Sequence, residues 1–194
     1  EGIDDTAAFY EEKGIPYAGI QSSNDTVYKP YILLEKNGIS IAVLNYTYGT
    51  NGIALSEDLP YLVHLLYDEE KVREDIREAK LAADAVIVIV HWGTEYSVKI
   101  DDFQKAWTDV FLEEGVTVVA GNHPHVLQKC AYLPREDGPP MLIYYSLGNF
   151  VAAQEENRIG GLAEFTIKKS DRGVHVSAAS LEKIDSFMKC AQIK

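Results

Sequence analysis

Cysteine is scarce in this chain of 194 residues: Cys130 and Cys190 are the only two. A disulfide framework is excluded, and a single bridge or two buried thiols both fit. Long hydrophobic runs are missing as well. The longest, Ala85 to Val90, falls far short of a membrane span. No charged-then-apolar leader stands at the front. No G-x-S-x-G elbow is present, which argues against a serine hydrolase of that type. Basic residues are in deficit, 18 Lys and Arg against 30 Asp and Glu, for a net charge of −12. Such a surface repels phosphate backbones, so nucleic acid and anionic membranes are not expected partners. A single anionic substrate can still be held where a bound cation reverses the local field.

What is present is an ordinary globular composition, 46% apolar and 25% charged. There is no repeat, no low-complexity tract and no linker long enough to separate two domains, so residues 1–194 read as one domain. The opening, Glu1-Gly2-Ile3-Asp4-Asp5, reads as the approach to a helix over residues 4–13, with Asp4 or Asp5 as cap and Gly14 as terminator. A short strand is expected over Ile15 to Ile20. The runs Tyr31–Glu35 and Ile39–Tyr46 flank Lys36-Asn37-Gly38, the signal of a tight antiparallel hairpin. Asp68 caps a helix over Glu69–Ala82 with Val72, Ile76 and Ala79 or Lys80 at helical spacing.

The β-branched run from Ala85 to Val90 predicts a strand buried on both faces. A helix over Asp101–Glu114 follows, with Phe103, Ala106, Val110 and Trp107 facing inward and Gly115 as its stop. Val116–Ala120 is the next strand, which completes a βαβ unit. The remainder reads as strands: Val126–Tyr132, Met141–Ser146, and a closing hairpin of Gly161–Lys168 and Val174–Leu181 turned by Ser170-Asp171-Arg172-Gly173.

In an open α/β sheet, ligands collect beyond the carboxyl ends of the strands. Both buried strands end there in histidine, as Val90-His91-Trp92-Gly93-Thr94-Glu95-Tyr96 and as Ala120-Gly121-Asn122-His123-Pro124-His125. A lone histidine at a strand end is usually a hydrogen-bonded loop residue. An H-x-H pair after one strand and a third histidine after its neighbour carry more weight. In an extended segment the i, i+2 spacing directs His123 and His125 to one side, and Pro124 restricts the backbone between them. Neutral imidazole is a common ligand of zinc, iron and manganese, so His91, His123 and His125 are read as metal ligands converging on one point. His64 and His175 have no such setting and are read as structural.

Three segments taken together, His91-Trp92-Gly93-Thr94-Glu95-Tyr96, Gly121-Asn122-His123-Pro124-His125-Val126-Leu127-Gln128 and Tyr145-Ser146-Leu147-Gly148-Asn149-Phe150, resemble in order and spacing the CapA family of capsule synthesis proteins. That poly-γ-glutamate capsule biosynthesis domain is similar to calcineurin-like metallophosphoesterases. The resemblance runs from about Asp5 through Gln154. It implies an α/β fold, the C-terminal part of a four-layer α-β-β-α domain in which a parallel βαβ unit is followed by antiparallel strands. It also implies that His91 is a lone metal-binding histidine and that His123 and His125 serve one metal each.

By the same resemblance, Glu95, Tyr96, Ser146 and Asn149 lie near the site as expected substrate-binding positions; the Ser146-Leu147-Gly148-Asn149 motif reads mainly as a strand-to-loop turn beside the site, where Asn149 can also bond a neighbouring group or substrate. His91 or His125 is expected to donate to a leaving group. The cofactor implied is a divalent metal (Mn, Zn or Fe), two of them in a complete domain. The family's upstream motifs, an aspartate-bearing strand, a glutamate-containing segment and an Asn-Asn-His, are not found ahead of Glu1, so the expected partner is the N-terminal half of the same domain. A second copy of the chain and a capsule-synthesis membrane complex are the other partners expected. The resemblance places the protein at the cell envelope, supporting capsule polymer synthesis or export by metal-dependent hydrolysis. The rival readings are a non-catalytic scaffold of a polymer-export complex and a phosphoesterase acting on a small molecule.

Overall fold

A computed structural model describes residues 2–59, 61–151, 158–171 and 173–185. The chain divides into two compact units, residues 1–90 and 91–194.

In the first unit, helix α1 spans Gly2–Lys13 and begins before both aspartates proposed as caps. Asp4 is used elsewhere: its carboxylate accepts from the Ser23 amide at 2.7 Å. That bond holds its pKa down at about 2. The strand expected over Ile15–Ile20 is not formed. Only a single bridge, Ile20 to Val63, is made there. Pro16 has no amide to donate, and Gly19 at φ +97° breaks the extended path. Strands β1 (Tyr31–Lys36) and β2 (Ile39–Thr47) pair antiparallel from Tyr31↔Leu44 to Lys36↔Ile39. Asn37 and Gly38 take φ of 53° and 73° at the turn, as a tight hairpin requires.

Helix α2 (Glu69–Ala82) is capped by Asp68, whose carboxylate accepts from the Lys71 amide at 3.1 Å. Its inner face is Val72, Asp75, Ile76 and Ala79. Lys80 is exposed. Asp75 is fully buried. It accepts from the Tyr28 and Tyr46 hydroxyls at 2.7 and 2.9 Å and from Lys71 Nζ at 2.8 Å. Burial, and then this carboxylate, pushes both tyrosine hydroxyls above their ordinary pKa. The expectation that His64 is structural fits its setting: it is 3% exposed, packed on Tyr28, with Nε2 at 3.4 Å from Gln21 Oε1. Strand β3 (Ala85–His91) buries Val86, Val88 and Val90 but leaves Ile89 40% exposed, so it is not covered on both faces throughout. The strand order in this unit is β1-β2-β3.

The second unit opens on His91. Helix α3 (Asp102–Glu113) carries a capping box in which Asp101 and Gln104 satisfy each other's backbone amides. Its buried face is Gln104, Trp107, Thr108, Val110 and Phe111. Phe103 and Ala106, expected inside, are exposed. The apolar count put the stripe one position off because two polar side chains sit inside with their bonds made. Gln104 donates to Gln128 at 2.8 Å and Thr108 to the Gln104 carbonyl at 2.6 Å.

Strand β4 (Val118–Asn122) lies parallel to β6 (Met141–Tyr144), and β5 (Cys130–Leu133) pairs antiparallel with β6. β4 starts two residues later than the sequence predicts, and β5 four residues later. Strands β7 (Ile159–Ser170) and β8 (Gly173–Asp185) form a long antiparallel ribbon, longer than expected. Arg172 in its turn and Cys190 lie outside the described residues, whereas Cys130 is exposed on β5. His175 is half-buried in β8. Among the described residues, no helix is long and apolar enough to cross a membrane.

Candidate functional site

All the residues singled out as a site belong to the second unit. The exit of β3 is fixed by Trp92, which is fully buried. Its amide donates to the Asn122 carbonyl at 3.0 Å and its indole nitrogen to the Tyr145 carbonyl at 2.9 Å. Gly121 makes room for that indole, since a Cβ there would stand 2.5 Å from Trp92 Nε1 and 2.2 Å from the Tyr145 oxygen. These contacts set His91 and Trp92 beside the end of β4 and so bring the histidines together. The His91 and His123 rings lie 4.6 Å apart, and the His123 and His125 rings 6.2 Å apart.

The backbone route differs from the expected one. His123 and His125 are not extended: their φ values are 101° and 58°, and Tyr96 has φ 60°. Asn37 and Asn51 are the other non-glycine residues with positive φ among those described, and both are asparagine, which tolerates this region. Two histidines and a tyrosine held there in one place mark backbone strain concentrated at a site. The rings meet because the chain bends, not because an i, i+2 alternation aligns them.

Desolvation holds the His91 and His123 imidazoles below their ordinary pKa; the neighbouring imidazoles add to the effect, and Glu95 opposes it. Both rings are therefore neutral lone-pair donors at neutral pH. His125 Nδ1 stands 2.7 Å from Asn149 Oδ1, and its Nε2 stands 3.8 Å from the Glu95 carboxylate. The half-exposed Tyr96 ring stacks on His125 at 5.8 Å, and the Tyr96 amide donates to the Pro124 carbonyl at 2.8 Å. Ser146 is placed differently. It is 1% exposed and its hydroxyl accepts from the Gly148 amide at 3.2 Å, so it holds the turn, in keeping with the main reading of the motif.

The sequence reading gave no role to the two glutamines that fasten the site loop. Gln128 donates to the Ser97 and Lys99 carbonyls at 2.9 and 3.1 Å, and it accepts from Gln104. Thr94 adds a bond to Asp101 at 2.8 Å. The segment carrying Glu95 and Tyr96 is thereby tied to the N-terminus of α3. The hint in the sequence was Gln128 itself, an amide that the end of the His-Pro-His-Val-Leu-Gln run places among apolar neighbours.

The donor chemistry suits a divalent cation, with two imidazoles kept neutral and the third held by a side-chain amide. The geometry stops short of a coordination sphere. Among the described residues, no three His, Cys, Asp or Glu side chains are grouped so as to hold a metal ion. The three rings stand as neighbours in one cluster.

The sequence profile of the bacterial capsule synthesis protein PGA_cap family matches residues 1–154. The chain belongs to that family. Its relatives include the PGA biosynthesis protein CapA of Bacillus subtilis (strain 168), 32% identical over 176 residues, which cover 89% of this chain and 44% of that protein. The capsule biosynthesis protein CapA of Bacillus anthracis is 29% identical over 181 residues, covering 91% of this chain and 42% of that one. This PGA_cap chain therefore spans less than half the length of the curated relatives it matches.

In fold it is similar to the calcineurin-like phosphoesterase YfkN of Bacillus subtilis, with a TM-score of 0.51 and 18% identity over 88% of this chain and 56% of that one. The expected α/β class, with parallel and antiparallel pairing in the sheet, is what the PGA_cap chain shows.

Proposed function

We propose that this protein supports capsule polymer biosynthesis at the cell envelope, with the histidine cluster as a metal-dependent hydrolytic site. The observation that carries the reading is the meeting of His91, His123 and His125 at the ends of β3 and β4, on strained backbone, with His91 and His123 held neutral. Family membership supplies the capsule context, and poly-γ-glutamate is the polymer class proposed.

A bound divalent cation would supply polarisation of a phosphoester or acyl oxygen and would lower the pKa of water. His91 and His123 would hold it through neutral nitrogens, with Mn, Zn or Fe as the candidates. Asn149 holds His125 at Nδ1, which leaves Nε2, beside the Glu95 carboxylate, as the nitrogen donor of that ring. Tyr96 offers a ring face for substrate beside His125, and Gln128 keeps its loop in place. The acidic surface opposes approach of a polyanion, and a cation at the cluster offsets that locally.

One observation favours a second reading, a non-catalytic accessory of a polymer-export complex: the described residues compose no closed ligand group. Metal analysis with a phosphoester turnover assay on the full chain separates the two. Turnover that needs added Mn or Zn and is abolished in H123A supports the hydrolase. Substoichiometric metal, with behaviour unchanged in H123A, supports the accessory.

A further inference from the structure

Asn149, His125 and Glu95 stand in line, with Oδ1 to Nδ1 at 2.7 Å and Nε2 to the carboxylate at 3.8 Å. We infer that Asn149 is a positioning residue that fixes His125 in the tautomer protonated on Nδ1, so that Nε2 and Glu95 form a mixed nitrogen–oxygen ligand pair for a divalent cation. The cation half of this inference rests on the metal reading above; the tautomer half does not.

The chemistry follows from the donor inventory. A carbonyl oxygen has no hydrogen, so at 2.7 Å the bond is made only if Nδ1 carries the proton. A neutral histidine left to itself carries its proton mainly on Nε2, so the amide inverts the intrinsic preference. Nε2 then presents a lone pair near a carboxylate oxygen. Two acceptors at 3.8 Å repel unless a cation or a donor lies between them.

The amide is held by its backbone. Gly148 turns at φ +65°, and the Gly161 amide donates to the Leu147 carbonyl at 2.7 Å. At Gly160 a Cβ would lie 1.8 Å from the Asn149 carbonyl oxygen, so β7 passes Asn149 at a distance only glycine permits. Leu127 bridges to Leu147, which ties the same turn to the strand exit that carries His125. An ordinary turn does not need this much fastening.

The test is long-range proton–nitrogen NMR of the full chain at about pH 8, where an ordinary histidine is neutral, together with zinc titration by calorimetry. Wild type should show His125 protonated on Nδ1. N149L should return it to the Nε2–H form, and N149D, which keeps an acceptor, should retain the wild-type pattern. E95Q should leave the tautomer unchanged and weaken zinc binding about tenfold or more. A wild-type His125 protonated on Nε2, or an N149L spectrum like wild type, overturns the role of Asn149. Should N149L fail to fold, the wild-type and N149D spectra still decide. Zinc binding by E95Q equal to wild type overturns the ligand pair. No zinc uptake by wild type with the Nδ1 tautomer present overturns the ligand pair and the metal reading, and leaves positioning by Asn149 standing.

Discussion

The Trp92 indole donates to the Tyr145 carbonyl at 2.9 Å across a gap that exists only because residue 121 has no side chain. This contact joins the exits of β3 and β4 to the end of β6, and the histidine cluster stands on it. Gly121→Ala puts a methyl group against a backbone oxygen and a buried indole, neither of which can give way cheaply. A loss of about 3 kcal/mol is expected from overpacking, with a melting temperature well below wild type. A G121A melting curve that overlays wild type would falsify the account of this junction.

His123 holds φ at 101°, which costs a residue with a Cβ and costs glycine little. His123→Gly should therefore raise stability by about 1 kcal/mol, after the extra freedom of glycine in the unfolded chain is set against the relieved strain. The same variant should lose metal uptake. Urea denaturation and metal titration on one preparation check both. Destabilisation by H123G would mean that the ring's packing outweighs the backbone conformation.

His64 predicts a pH dependence in the first unit. Burial pushes its pKa down to about 4, Lys71 adds to the effect, and the Asp75 carboxylate opposes it. In the unfolded chain the ring takes a proton below about pH 6.5; in the folded chain it does so only below about pH 4. This contribution to stability is therefore whole above about 6.5, declines as pH falls toward 4, and is flat below. Its size is on the order of 3 kcal/mol. Nδ1 of His64 is buried with no hydrogen-bond partner, so a proton placed there gains no acceptor. Urea midpoints measured from pH 8 to pH 4 should show the slope in wild type and a shallower one in H64L.

Asp75 gathers two tyrosine hydroxyls and one ammonium inside the first unit. Asp75→Ala leaves the buried Tyr46 hydroxyl without its acceptor, at an expected cost of about 2–3 kcal/mol. Asp75→Asn keeps an acceptor and should cost less. Equal melting temperatures for the two variants would count against this account.

β1 pairs with β2 alone among the described residues and exposes Leu33 at 54% and Leu34 at 41%. An uncovered strand edge with exposed leucines favours association, either with a second copy or with chain present in longer relatives. Sedimentation should depend on concentration, and L33K should reduce that dependence. A single monomeric species across the range would refute it.

Local chemistry was legible in the sequence where it is self-contained. Asn37-Gly38 marked the hairpin, Asp68 marked the start of α2, and the valines of β3 marked the buried strand. What escaped depends on partners far along the chain. Gln104 and Thr108 look like surface residues until Gln128 and a backbone carbonyl satisfy them. The histidine cluster was visible as residue types at strand ends, yet its geometry was not. The i, i+2 argument assumes extended backbone, and the bend at His123 and His125 is imposed by contacts with Tyr96 and Asn149.

The fastening of Ser97 and Lys99 by a buried glutamine has a kinetic corollary. A segment so anchored does not swing open and shut around a visiting molecule, so admission to the cluster should be limited by diffusion and ionic strength and not by a slow rearrangement. The loop is set in place before any molecule reaches it.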